Sequence, residues 1–326
     1  MRKKMKSRPG LFSLIRQKSF HERHDTEVVA PLYRQTDRPL DAEQHRAIMM
    51  IDGRMQHGGL ADRIRGCLGL YVLCKRRQIP FRINWCYPFD LRLFLEPARY
   101  DWRIDPRQII YETPYAQPLA IYTFGIPGET LWDALWLDRQ LRFNTHTHYH
   151  IYSNTRLHNA LWSQAYEELF KPSPLLQQAI DENRRQLNGP YVSFTLRFQQ
   201  LLGDFKEGTF PVLEEPERER LIEKCLDKLA ELIGRVPQSH RILVTSDSIT
   251  FLNRVRQLPR TYVIPGEVAH MNYPGESQVF LKSFLDFYLI MGAEEVHLLQ
   301  TGQMYRSGFP QFAAEIGRKP FIVHTF

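Results

Sequence analysis

The chain has 326 residues and a mass of 38.6 kDa, enough for two domains of ordinary size. Its apolar content of 43% and charged content of 24% are those of a globular protein and argue against a disordered or fibrous chain. No uncharged apolar run approaches the ~20 residues that cross a bilayer. Four well-separated cysteines argue against a disulfide scaffold or a cysteine zinc site, so the composition predicts a cytoplasmic protein.

The net charge of +7 lies in the first 20 residues. That segment holds no acid and seven basic residues: Arg2, Lys3, Lys4, Lys6, Arg8, Arg16 and Lys18. The remaining chain, residues 21–326, carries 36 basic and 36 acidic groups and is therefore neutral. A nucleic-acid-binding protein usually carries its basic patch on the folded body, so this distribution argues against nucleic acid as a partner.

Two interpretations of this basic tail stay open. It is a solvated, disordered terminus, or residues 11–15 form a short interfacial helix on an anionic membrane surface. The apolar stretch is too short for the core of a signal peptide. The second interpretation places the protein in the cytoplasm, peripheral at the inner face of a membrane.

Residues 1–45 are predicted to be the basic tail and an extended, polar lead-in, after which strands and helices alternate. Predicted strands of the first half are 46–52, 81–85, 120–124 and 149–153, and predicted helices are 60–77, 129–141, 157–170 and 174–187. The sequence Asn188-Gly189-Pro190 is interpreted as a hinge. We therefore predict an N-terminal domain over 46–188 and a C-terminal domain over 189–326.

The alternation is more regular after the hinge. Predicted strands are 191–197, 241–246, 261–264, 295–299 and 321–325, with helices at 215–234, 248–257, 277–291 and 308–317. Several strands are apolar throughout, which is typical of parallel strands covered by helices on both faces. Two α/β units with a cleft between them is the predicted architecture.

Ligands of open α/β sheets bind at the carboxyl ends of the strands, where this sequence concentrates glycines and polar residues. Four segments follow predicted strands: the loop of His57, Gly58, Gly59, Asp62 and Arg63; Arg197; the turn of Ser246, Asp247 and Ser248; and Ser307, Gly308 and Phe309. An arginine at a strand end suits a pyrophosphate, and a helix start offers backbone amides to an anion. The alternatives are a strand–helix turn, a strand-end salt bridge and a helix cap.

Two further features carry alternatives of their own. The sequence His146-x-His148-x-His150 has the spacing of metal ligands on a strand but lacks a nearby carboxylate or cysteine, so a polar sheet surface is the favoured interpretation. Asp286 lies in an otherwise apolar helix and needs a partner, with Lys282 the plain candidate. No D-x-D pair occurs for a metal-bound nucleotide, so no metal is expected.

Taken in order, the four segments resemble motifs of the fucosyltransferase superfamily. His57-Gly-Gly-Leu-Ala-Asp-Arg63 resembles its G-G-L-G-N-R/Q loop, Thr195-Leu-Arg-Phe resembles H-x-R-x-G-D, Thr245-Ser-Asp-Ser248 resembles the S-D segment, and Ser307-Gly-Phe309 resembles S-x-F-S-x-x-A. Asp62 stands where asparagine is usual, Thr195 replaces the histidine, and the second serine of the last motif is replaced.

The resemblance implies a GT-B-like fold, two Rossmann-like α/β domains facing each other across a cleft. It implies inverting, metal-independent transfer of fucose from GDP-fucose, or transfer from another GDP-sugar, to a glycan or lipid-linked oligosaccharide, with no cofactor beyond the donor. Arg197 would offset charge on the leaving GDP, and Asp62 and His57 are the candidate bases. The donor would be bound by Gly58, Gly59, Arg63, Arg197, Ser246, Asp247, Ser248, Ser307, Gly308 and Phe309. The alternative is a non-catalytic nucleotide- or glycan-binding protein that kept the fold.

Overall fold

The computed structural model describes residues 10–35, 45–55, 57–113, 115–143, 147–155, 162–204, 211–266 and 277–326. The chain divides into two compact units. The first comprises Met1–Asp90 and Pro97–Leu161, and the second comprises Leu91–Glu96 and Trp162–Phe326. Each has its own parallel sheet, so the predicted α/β class is confirmed.

The described helices and strands follow in chain order. The helices are α1 Leu11–Val29, α2 Leu60–Arg77, α3 Glu129–Phe143, α4 Trp162–Leu169, α5 Pro174–Leu187, α6 Glu215–Arg235, α7 Ile249–Val255, α8 Ser277–Gly292 and α9 Phe309–Gly317. The strands are β1 Arg34–Gln35, β2 Arg46–Ile51, β3 Phe81–Trp85, β4 Leu95–Pro97, β5 Glu112–Thr113, β6 Ala116–Ile121, β7 His148–Ser153, β8 Phe170–Pro172, β9 Tyr191–Leu196, β10 Arg241–Ser246, β11 Thr261–Tyr262, β12 Val296–Gln300 and β13 Phe321–Thr325. No helix in these described ranges is long and apolar enough to cross a bilayer.

The sheet of the first unit has four strands in the order β3-β2-β7-β6, with parallel pairing throughout. Every residue of β2 and β7 is buried, as expected for central parallel strands covered on both faces. Helix α2 crosses close to this sheet at Gly66, where a Cβ would overlap the carbonyl oxygen of Ser153 and lie 2.7 Å from Met49 Cε. Gly66 therefore allows the close helix–sheet contact.

The sheet of the second unit has five parallel strands in the order β11-β10-β9-β12-β13. The chain builds outward from β9 through β10 to β11 and then returns to the other side of β9 to form β12 and β13. The strand order therefore reverses between β9 and β12. In open α/β sheets this reversal opens a crevice at the carboxyl ends of the two strands.

Most predicted elements are observed within a few residues of their predicted bounds, but the predicted extended conformation of the lead-in is wrong. Residues 21–29 continue α1 instead. The predicted strand 120–124 corresponds to β6, which begins earlier, at Ala116, and ends at Ile121. Helices α4 and α5, which the predicted domain boundary places in the first half, pack on α9 and α8 in the second unit. The assignment of residues to functional domains stays a prediction.

A buried ion cluster explains why α1 is folded against the first unit. Lys18 Nζ lies 2.7 Å from Glu129 Oε1 and 2.8 Å from Asp133 Oδ2, both on α3, and it donates to the Tyr122 carbonyl oxygen. Glu22, one turn after Lys18, accepts from the Tyr122 amide at 3.1 Å. Lys18 and Glu22 therefore supply tertiary contacts that the local sequence could not reveal.

Replacing Lys18 by alanine is expected to destabilise the protein by about 3–5 kcal/mol, because two largely buried carboxylates would lose their shared cation. The matched control is Lys171→Ala, since Lys171 and its partner Glu96 are both exposed and such a pair contributes about 0–1 kcal/mol. Urea unfolding followed by tryptophan fluorescence measures both. Equal midpoints for the two variants would contradict a stabilising role for the cluster.

Candidate functional site

The strongest candidate site lies at the carboxyl edge of the second sheet. Arg197 follows β9 directly, Asp247 follows β10, and residues 301–308 connect β12 to α9. Since β10 and β12 flank β9 in a parallel sheet, all three segments start from the same edge. Arg197 and the 301–308 connection follow the two strands between which the strand order reverses. Three of the four predicted segments therefore follow strands at the edge where such sheets bind ligands, and two of them, at Arg197 and Asp247, are in contact.

Arg197 and Asp247 form an ion pair at this edge. Arg197 Nε lies 3.2 Å from Asp247 Oδ2, and the arginine side chain is 26% exposed whereas the aspartate is buried. The carboxylate also accepts the backbone amides of Phe198, at 2.8 Å to Oδ1, and Gln199, at 2.7 Å to Oδ2. Burial raises the pKa of Asp247, while Arg197 and the two amides oppose that rise. The pair fixes the guanidinium at the sheet edge.

The two serines that flank Asp247 organise the turn into α7. Ser246 Oγ accepts the Ser248 amide at 3.1 Å, and Ser248 Oγ accepts the Phe251 amide at 3.0 Å as the N-cap of α7. Ser248 Oγ also donates to Asp204 Oδ2 at 2.5 Å. The capping alternative for Ser248 is thus observed, and a nucleotide contact from Ser246 or Ser248 stays a prediction.

Ser307, Gly308 and Phe309 begin helix α9. Ser307 is buried and its Oγ accepts the Phe309 amide at 3.3 Å, while Gly308 is the N-cap residue. The Phe309 ring packs edge-on against Phe287 at a centroid distance of 5.7 Å. These contacts fix the start of α9, which follows β12 through the 301–308 connection. The first backbone amides of a helix have no acceptor within the helix and can therefore bind an anion.

In the first unit, the glycine loop after β2 leads into α2. Gly58 has a φ of +71°, in the left-handed region that favours glycine, and Gly59 is the N-cap residue. The Gly59 amide donates to Asp62 Oδ2 at 3.2 Å, and the other carboxylate oxygen of Asp62 pairs with Arg65. Asp62 has the most exposed polar side chain of the motif. Gln56, the residue before His57, lies outside the described residues.

His57 and Arg63 of the same motif are buried and support the loop from within. His57 Nε2 accepts the Gly53 amide at 3.1 Å, and burial, with Arg63 nearby, lowers the pKa of His57 to about 3. Arg63 donates to the carbonyl oxygens of Gly58, at 3.0 Å, and Tyr87, at 2.7 Å. Burial lowers the pKa of Arg63 to about 10, so it remains cationic at neutral pH. Ligand contacts by these two residues stay a prediction.

Sequence reasoning missed a polar cluster centred on Asp52, directly after β2. Asp52 Oδ2 accepts the Tyr152 hydroxyl at 3.1 Å and Arg54 Nη1 at 3.2 Å. Arg54 also donates to the Tyr111 hydroxyl at 2.9 Å. The available signal was the position of Asp52 at the carboxyl end of the first strand, the place where the other candidates were found.

The remaining candidate groups have structural partners. His148 Nδ1 accepts the Ile110 amide at 3.1 Å and His150 Nδ1 lies 2.6 Å from the Tyr33 hydroxyl, whereas His146 lies outside the described residues. Within the described ranges no three His, Cys, Asp or Glu side chains are grouped as a metal site would require. The predicted pairing of Asp286 with Lys282 is confirmed, at 2.8 Å.

Comparison with solved structures gives an independent view of the fold. NodZ α-1,6-fucosyltransferase soaked with GDP-fucose aligns over 83% of this chain and 92% of its own, with 13% identity and a TM-score of 0.53. The fucosyltransferase NodZ from Bradyrhizobium aligns over 82% and 92%, with 12% identity and a TM-score of 0.53. Arabidopsis thaliana FUT1 in complex with GDP aligns over 98% and 80%, with 9% identity and a TM-score of 0.54.

The chain has a fucosyltransferase fold. The predicted GT-B-like class and the resemblance drawn from the four short segments are both confirmed at this level. None of the known family models matches the sequence, and no curated protein matches it either. Because identity to the fucosyltransferase structures is only 9–13%, the likeness establishes the fold, and activity must be argued from the chain's own residues.

Proposed function

We propose that the chain is a glycosyltransferase that uses a GDP-sugar, with GDP-fucose the first candidate donor. The observation that carries this proposal is the Arg197–Asp247 pair, which lies at the carboxyl edge of the second sheet in a chain with a fucosyltransferase fold. A guanidinium held by a buried carboxylate is a preorganised ligand for a pyrophosphate, because its two Nη groups match two phosphate oxygens. Two of the structures it resembles were solved with GDP-fucose or GDP, which supports the same donor class.

In the proposed mechanism, Arg197 and the amides at the start of α9 stabilise the negative charge that develops on the departing GDP. This anion stabilisation needs neither a metal nor another cofactor. The acceptor hydroxyl attacks the anomeric carbon of the sugar from the side opposite the breaking C–O bond, which gives inversion. A protein group accepts the hydroxyl proton.

We propose Asp62 as the proton acceptor. The pKa of about 3 for His57 makes its imidazole a weak base, and its Nε2 already accepts the Gly53 amide. His57 is therefore proposed to position the loop. Asp62 is partly exposed and stands at the start of α2, on the carboxyl side of β2. Asp52 is a weaker candidate because it is buried and already accepts three hydrogen bonds.

Asp62→Asn is expected to lower kcat by about 10²–10⁴-fold while leaving GDP affinity unchanged, because it removes a base without changing the size of the side chain. An asparagine oxygen can still accept the Gly59 amide, so the helix cap is retained. The control is Asp101→Asn, which removes an exposed carboxylate paired with Arg103. A kcat within twofold of the parent enzyme would rule out Asp62 as the base.

Isothermal calorimetry with GDP, GDP-fucose, GDP-mannose, UDP and UDP-glucose, each in EDTA, tests the donor class. Binding of the guanine compounds alone would support the proposal, and glycan acceptors could then be screened for transfer. Guanine-nucleotide binding without hydrolysis or transfer to any acceptor would support the alternative, a non-catalytic binding protein. The features that favour this alternative are the threonine at position 195 and the missing second serine of the last motif. Failure to bind any of the five would overturn the GDP-sugar transferase and leave a glycan-binding protein as the alternative.

The acceptor proposed is a glycan or a lipid-linked oligosaccharide of polysaccharide biosynthesis. A cytoplasmic enzyme that is peripheral at the inner face of a membrane would meet a lipid-linked acceptor there. The basic residues of the first 20 positions other than the ion-paired Lys18 support this location, because each lysine or arginine near an anionic bilayer contributes about 1 kcal/mol of attraction.

A further inference from the structure

Helix α3 has an exposed apolar face. That outward face carries Leu131, Trp132, Leu135 and Trp136, which are between 44% and 69% exposed. Their spacing places them on one side of the helix over two turns. The inward face buries both apolar and acidic side chains: Ala134, Leu137 and Leu141, and Glu129, Asp133 and Asp138. Soluble amphipathic helices normally carry polar residues on the outward face.

The inward acids are satisfied within the first unit. Glu129 and Asp133 pair with Lys18 of α1, and Asp138 Oδ2 accepts Arg77 Nη2 of α2 at 2.6 Å. These ion pairs, together with the buried Ala134, Leu137 and Leu141, fix the orientation of α3 and leave its other apolar face outward. Two exposed tryptophans one turn apart form more apolar surface than folding of this unit requires.

Helix α1 also exposes apolar side chains. Phe12 is 88% exposed and Ile15 is 43% exposed. Because Lys18 contacts α3 directly, the two helices are neighbours. We define the α1–α3 apolar patch as Phe12, Ile15, Leu131, Trp132, Leu135 and Trp136.

We propose that the α1–α3 apolar patch inserts into the interfacial region of an anionic lipid bilayer. Tryptophan and phenylalanine prefer this region because their rings are apolar and the indole N–H can remain hydrated. Cationic groups accompany the patch: Arg139 is exposed on α3, and the first 20 residues hold six basic residues besides the ion-paired Lys18, with no acid. Their charge complements anionic headgroups.

Charge also argues for lipid over a second copy of the chain. A two-fold dimer formed through this patch would bring two copies of the same basic segments together, and their repulsion would oppose association. The proposed membrane contact extends the idea of a lipid-binding tail to a folded surface of the first unit. It does not depend on the GDP-sugar site, since no residue of the patch is proposed to bind the donor or to act in transfer, so either proposal can fail without the other.

Co-sedimentation of the full-length protein with vesicles tests the patch, using phosphatidylcholine alone and phosphatidylcholine mixed with phosphatidylserine. The double variants Trp132→Ser/Trp136→Ser and Leu131→Ser/Leu135→Ser are expected to bind the anionic vesicles at least about tenfold more weakly than the parent chain. The single variant Leu135→Ser has a matched control in Leu175→Ser, since these leucines are 52% and 48% exposed and only Leu135 belongs to the patch. All altered side chains are exposed, so circular dichroism should show an intact fold.

A blue shift of tryptophan fluorescence on anionic vesicles, lost in the tryptophan variant, would support insertion of this face. A variant lacking residues 2–9 should bind more weakly in a salt-dependent way but keep the fluorescence shift, because the patch remains. Unchanged vesicle binding by both patch variants would overturn the proposal. A concentration-dependent dimer that the patch variants dissociate would also overturn it, in favour of a second copy as the partner.

Discussion

Arg197→Ala is expected to weaken GDP binding by about 100-fold or more, since a bidentate charged contact contributes about 3 kcal/mol. It also removes the cation beside the buried Asp247 carboxylate, so the variant should unfold at lower temperature. Arg197→Lys separates the two effects because it keeps a positive charge but loses the planar fork. We expect the lysine variant to retain most of the stability and to lose most of the affinity and turnover.

The matched control for this prediction is Arg241→Ala. Arg241 is a half-buried arginine at the amino end of β10, whereas Arg197 follows the carboxyl end of the neighbouring strand. Calorimetric titration with GDP and thermal melts of the three variants are the measurements. If Arg197→Lys and Arg241→Ala bind GDP equally well, Arg197 does not bind the pyrophosphate.

Acid is expected to unfold the first unit through three buried histidines. Burial, reinforced by neighbouring positive groups, lowers the pKa of His57 to about 3, of His148 to about 4 and of His150 to about 3. The folded state keeps these imidazoles neutral, whereas the unfolded chain protonates them below the ordinary pKa of 6.5. Their stabilisation is complete above pH 6.5 and is lost as the pH falls toward the folded-state values.

Each histidine that stays neutral in the folded state lowers the free energy of unfolding by about 1.4 kcal/mol for every pH unit below its unfolded-state pKa. Near pH 5 the three together would remove about 6 kcal/mol, a large part of the ~5–15 kcal/mol that stabilises a typical domain. Urea unfolding between pH 7 and pH 4.5 measures the loss. The double variant His148→Asn/His150→Asn should reduce the slope by about two protons, because asparagine does not bind a proton in this pH range. The fold should be kept, because the asparagine amide can hydrogen-bond to the partner of each Nδ1.

His24→Gln serves as the control for the histidine variants, since it removes an exposed imidazole on α1. The parent slope should persist in that variant. A parent protein whose stability is flat from pH 6.5 to pH 5, or a double asparagine variant with the parent slope, would contradict the assignment of acid sensitivity to the buried histidines.

Elements with local sequence signals were predicted correctly. Helix α5 has the same bounds, 174–187, in prediction and structure, because Ser173 caps it, Pro174 suits its first turn, and Asn188 ends it in the left-handed conformation. Helix α2 likewise begins at the Gly59 N-cap, whose amide donates to Asp62, and is followed by the left-handed Gln78. The apolar run 242–244 of β10 is typical of a strand buried on both faces. With the order of the four motifs, these signals were enough to predict the fold.

The tertiary structure alone decided which polar residues meet. Arg197 and Asp247 are 50 positions apart, and only the pairing of β9 with β10 places them 3.2 Å from each other. Lys18 is separated from Glu129 by 111 residues, so the sequence showed a basic tail where the structure has a packed helix. Periodicity and capping act over a few residues and are written in short segments, whereas ion pairs depend on how distant segments are brought together. For the same reason, the outward apolar face of α3 became visible only once its inward acids had found their partners.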